Sequence, residues 1–129
     1  MLEKTVNLQP DLGRGAVDRP KDVTAHFDLR YGDLMIGKLW LYRNVWYYAY
    51  TAQFKGQNAV KPLTDFPAVN KTYKSEALWP FFALRIPSLQ QPAIQRIVDE
   101  EELDSRNQVD MLARFARRTI SNPFELELQ

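Results

Sequence analysis

The sequence has no cysteine, which excludes a disulfide framework and every thiolate metal site. It has one histidine, His26, with no second histidine at ligand spacing, so neither an imidazole metal centre nor a catalytic base is expected there. Net charge is nearly absent: 17 Lys and Arg stand against 16 Asp and Glu, leaving +1. Without a field of one sign, no direct nucleic-acid partner and no anionic membrane surface are expected. No apolar run reaches the length of a membrane span or a signal-peptide core, and the expected location is the cytoplasm. Glycine is sparse, and "DLGRG" near the N-terminus lacks the lysine and the strand–helix setting of a phosphate loop.

Apolar and aromatic side chains are plentiful, at 45% and 12% of 129 residues. That length holds one core and is short for two ordinary domains. Residues 1–23 mix charge, proline and glycine without periodicity and are expected to form a flexible N-terminal arm, leaving 24–129 as the domain.

From Thr24 onward the pattern is that of strands. Phe27, Leu29 and Tyr31 alternate with Asp28 and Arg30, Gly32-Asp33 supplies a turn, "LMIGKLWLY" follows, and Arg43-Asn44 turns into "VWYYAYT". This predicts a three-stranded antiparallel meander. A fourth short strand is expected at 59–63, confined to an edge by Pro62. Val45, Tyr47 and Ala49 fall on one face of the third strand and Trp46, Tyr48 and Tyr50 on the other. Both faces are mainly apolar, so a cover is expected on each, from the chain's helices, its arm or another protein, unless the tyrosine hydroxyls reach water.

"SEALWPFFALRIPS" concentrates aromatics around Pro80, which lacks an N–H and suits the first turn of a helix. A helix is predicted from near Trp79, ended by Pro87, with Leu78, Phe81, Phe82 and Ile86 along one face and Arg85 beside it. Two more helices are expected. One opens at Pro92 and carries Ile94, Ile97 and Val98; the other follows a capping box at Ser105–Gln108 and buries Val109, Leu112, Ala113 and Ala116. Phe124, Leu126 and Leu128 alternate with Glu125 and Glu127 as a last strand. The predicted fold is α+β, an antiparallel sheet of about four or five strands with about three helices packed mainly on one face.

Catalytic signatures are missing. Ser75 and Ser88 have no nucleophile motif, and the carboxylates of 99–102 crowd a helix end rather than converging in a cleft. Arg114, Arg117 and Arg118 share a helical face, which reads as a solvated basic face near a helix C-terminus. "KLWLYRNVWYYAY" interleaves aromatics with only Lys38 and Arg43, too few cations for single-stranded nucleic acid. No enzyme activity, cofactor or metal is expected.

The order of motifs resembles the N-terminal subdomain of HipA-type serine/threonine kinases. The resemblance rests on "YGDLMIGKLWLY", "VKPL", "SEALWPFFALRIPS" and "DSRNQVDMLARFARR", and spans roughly residues 24–128. Leu84 departs from it, standing where relatives commonly carry asparagine. So does the 117–123 stretch, which replaces a glycine-containing turn leading into the kinase body, and that body with its catalytic machinery is not in the sequence. The resemblance therefore implies a HipS-like antitoxin of a HipB–HipS–HipT type bacterial toxin–antitoxin module, one that binds and inhibits a HipA-like kinase of the HipT type. It leaves room in the complex for a HipB-like helix-turn-helix repressor. Under this reading Trp79 is the preferred partner-binding anchor, followed by Trp46, with Tyr48 and Arg85 as neighbours, because a desolvated tryptophan in a partner pocket can contribute about 2 kcal/mol or more. The rival readings are an interaction adaptor without a kinase partner and a single-stranded nucleic-acid binder.

Overall fold

The computed structural model describes residues 24–129, so the N-terminal arm expected over 1–23 lies outside the described residues. Strand β1 (Ala25–Tyr31), β2 (Leu34–Tyr42) and β3 (Val45–Tyr50) form the predicted meander. The β2–β3 turn places both Arg43 (φ 52°) and Asn44 (φ 66°) in the left-handed region. Two such residues make a type I′ turn, whose twist matches that of the strands it joins. Register between β1 and β2 shifts after Leu29, where Ile36 is left over and lies fully buried in the core.

Beyond β3, Thr51 caps a single-turn helix, α1 (Ala52–Lys55), its hydroxyl accepting from Phe54 N–H at 3.1 Å. The fourth strand is not at 59–63. That segment satisfies its backbone locally, with Gln57 bridging to Val60 through its side-chain amide and Leu63 N–H donating to the Tyr50 hydroxyl at 2.8 Å. Pro62 has no N–H to offer a ladder. The strand is β4 (Tyr73–Ser75), a three-residue edge paired with Trp46–Tyr48.

Helix α2 (Pro80–Ala83) starts as predicted, with Trp79 as N-cap and Pro80 in its first turn. Helices α3 (Pro92–Glu100) and α4 (Gln108–Phe115) follow. Asn107, rather than the expected Ser105–Gln108 box, caps α4, its side chain accepting from Asp110 N–H at 3.2 Å. Ala113 is exposed, whereas Leu112 and Ala116 are buried as expected. Strand β5 (Glu125–Leu128) pairs with β1, giving an antiparallel sheet in the order β4-β3-β2-β1-β5.

One sheet face carries Phe27, Leu29, Leu39, Trp46, Tyr48, Tyr50 and Leu126 into a core shared with Phe54, Phe82, Leu112 and Ala116 of the helical segments. On the opposite face Trp40 and Tyr47 are half-buried and stacked at 5.3 Å, and Lys38 pairs with Asp28 at 3.0 Å. The aromatic strand is thus covered on its second side partly by its own neighbour. The three arginines do not form a free basic face. Helix α4 ends before Arg117, and Arg114, Arg117 and Arg118 pair with Glu101, Glu127 and Glu125.

Tyr50 ties this core to the long loop that follows α1. Its hydroxyl donates to the Phe66 carbonyl at 2.6 Å while accepting from Leu63, and its ring stacks on Phe54 at 4.5 Å. Burial pushes the Tyr50 phenol from 10.0 up to about 12, outweighing the opposing hydrogen bond from Leu63, and burial raises Tyr48 as well. An unfolded tyrosine ionises near pH 10 and these do not, so their contribution is complete below pH 10 and drains away as pH rises toward 12. Urea midpoints are expected to hold steady up to about pH 9 and fall steeply above pH 10. In Tyr50→Phe the fall should be shallower, on a baseline about 2 kcal/mol lower because two loop groups lose their partner. An unchanged slope would rule out Tyr50 as a source of the alkaline loss.

Candidate functional site

Beside the core, the loop after α1 and the short helix α2 enclose an open groove of about 510 Å³. Its apolar lining comes from Val60, Pro62, Pro80, Phe81, Leu84 and Phe124, with Lys61 and Asp65 among its polar groups. Each wall has a physical origin. The loop wall is fixed from behind by Tyr50 through Leu63 and Phe66. Phe66 is fully buried, stacked on Tyr48 at 4.2 Å and met edge-on by Tyr73 and Trp79, each at 5.0 Å. Asp65 ties the loop to α2, its carboxylate accepting from Phe81 N–H at 3.3 Å.

The opposite wall is aromatic. Phe81 meets Phe124 edge-on at 5.9 Å, and Phe124 in turn meets Tyr31 at 5.5 Å. Leu84, the C-cap of α2, is 83% exposed. A leucine held that far out forgoes about 1.5–3 kcal/mol of burial that a covering surface would recover. The arrangement offers shape and apolar area. Among the described residues, no group of three or more His, Asp or Glu side chains is placed to hold a metal ion.

The four residues selected from sequence lie in different settings. Trp46 (2% exposed) and Tyr48 (0%) belong to the core, and Tyr48 packs so tightly that its hydroxyl has no partner. Arg85 is also buried, donating through Nη1 to the Ala116 carbonyl at 3.1 Å and through Nη2 to Asn122 Oδ1 at 3.0 Å. Burial lowers its pKa from the ordinary value. Trp79 alone of the four is half-buried; it precedes Pro80 of the groove but does not itself line it, its ring meeting Phe66 instead. Sequence reasoning missed Leu84 as a surface feature. The signal was available: it is the leucine left off the stripe of Leu78, Phe81, Phe82 and Ile86.

No helix of the described residues is long and apolar enough to cross a membrane. The family described as HipA N-terminal domain matches residues 27–121, from β1 through α4 and into the segment beyond it. No curated protein matches the sequence.

Proposed function

Because the chain belongs to the HipA N-terminal domain family, we propose that it is a non-catalytic antitoxin or regulatory subunit that binds a HipA-like serine/threonine kinase and holds it inactive. The observation that carries the reading is Leu84, an apolar side chain 83% exposed at a groove whose apolar lining includes two prolines, Pro62 and Pro80, and two phenylalanines, Phe81 and Phe124. Burying one such side chain in a complementary pocket, within a rim that excludes water, is how a few residues come to dominate an interface. Trp79 precedes the groove residue Pro80 and packs edge-on against Phe66 behind the loop wall. Tyr48 supports the same surface from behind through its stack on Phe66 at 4.2 Å, and Trp46 belongs to the core. A HipB-like helix-turn-helix repressor is the expected third member of the complex.

The test is co-expression of the tagged chain with the HipA-like kinase encoded nearest to it. The pair is expected to purify together, the kinase's growth arrest to be relieved, and its phosphorylation activity to fall as the chain is added. If the proteins neither associate nor alter the kinase's toxicity, the reading is wrong.

A further inference from the structure

We propose that Arg85 and Asn122 form a latch that fixes the aromatic wall of the groove, which makes Arg85 a positioning residue for docking rather than a contact; this rests on the groove being the docking surface. Asn122 Oδ1 is the centre of the arrangement. It accepts from Arg85 Nη2 at 3.0 Å and from Phe124 N–H at 3.0 Å. The second bond closes a tight turn through Asn122 and Pro123 of the kind that asparagine side chains favour. The Phe124 that follows lines the groove. On the other side, the Arg85 guanidinium lies over the Phe81 ring at 5.3 Å, and Phe81 is the neighbouring wall residue. One side chain thus touches one wall directly and holds the other through a single amide.

The energetics point away from simple space filling. Arg85 is 6% exposed, its Nε has no hydrogen-bond partner, and among the described residues no carboxylate lies within ion-pair distance of it. A buried cation without a counter-charge is costly, and a methionine would fill the space without that cost. A methionine would not reach both the Ala116 carbonyl, at the C-terminal end of α4 where cations are favoured, and Asn122. Between α4 and β5 the chain is also held by the exposed pairs Arg117–Glu127 and Arg118–Glu125 and by one backbone bond from Leu126 to Arg117, and at its far end by the Phe124 ring against Phe81 and Tyr31 and by the pairing of β5 with β1. Exposed pairs of this type hold weakly. The same segment presents Ile120, fully exposed.

Amide hydrogen exchange and kinase affinity test this together on the full chain. Asn122→Ala should speed exchange at Phe124 N–H by about tenfold or more and weaken kinase binding about tenfold, since one acceptor serves two donors. Asn122→Asp keeps an acceptor oxygen for both donors and should restore both readings. Arg85→Lys, a point charge unable to span two acceptors, should behave like Asn122→Ala. Unchanged Phe124 exchange in Asn122→Ala, or failure of Asn122→Asp to restore it, overturns the latch. Faster exchange with undiminished kinase affinity overturns its role in docking. A kinase that binds no variant, wild type included, counts against the groove as a docking surface and leaves the exchange result to judge the latch.

Discussion

Gly37→Ala is expected to destabilise the domain by about 3 kcal/mol or more, lowering its thermal midpoint by roughly 10 °C or more. The cause is contact, since a Cβ on Gly37 would stand 2.5 Å from Tyr48 Cζ, 2.7 Å from Cε1 and closer still to the hydroxyl oxygen. Tyr48 has nowhere to go. It is fully buried, stacked on Phe66 at 4.2 Å and flanked by Tyr50 at 5.2 Å and Phe82 at 5.7 Å. Tyr48→Phe separates the two parts of the clash. Alone, it removes a buried hydroxyl that has no partner and should be neutral or stabilising by up to about 1 kcal/mol. Combined with Gly37→Ala it should rescue little, because the ring carbons remain in the way. Calorimetry of the two single variants and the double variant checks the pattern. A Gly37→Ala midpoint within about 2 °C of wild type would mean that the ring does not rest on that glycine.

Leu84→Asp is expected to weaken kinase binding by at least about 30-fold, the loss of roughly 2 kcal/mol that marks a central interface residue. The fold should not notice. Leu84 is 83% exposed, and exposed substitutions away from special backbone positions usually fall within about 0.5 kcal/mol of neutral. Leu84→Asn, which installs the residue that the resemblance to relatives makes common there, should fall between the two. Titration calorimetry beside thermal unfolding provides the check. Tight binding by Leu84→Asp would remove the groove from the proposal, and a large drop in the midpoint would return Leu84 to a structural role.

The parts of the fold with strong periodicity were legible. Phe27 and Leu29 alternate with charged residues and are buried in β1, and Pro80 opens α2 because its missing N–H costs nothing there. Strand β4 was not legible, since Tyr73-Lys74-Ser75 is three residues without apolar alternation and exists through its partner β3. On β3 the sequence offers two apolar faces, and only the packing of Phe66 and Phe82 over Tyr48 selects Trp46, Tyr48 and Tyr50 as the inner one. Arg85 was hardest of all, because a lone arginine reads as surface. Its burial depends on acceptors 31 and 37 residues away, at Ala116 and Asn122. The candidate surface was half legible: the "WPFFAL" segment drew attention, while Val60, Pro62 and Phe124, which complete the groove, come from distant parts of the chain.

The pairing of β5 with β1 bears on how the protein comes off the ribosome. Strand β1 precedes every other described strand, yet the neighbour that completes the sheet on that side is encoded at residues 125–128. Until residues 125–128 have emerged, the nascent chain therefore carries Phe27 and Leu29 on a strand with unsatisfied backbone groups along one side, a target for chaperones and for strands of other unfinished chains.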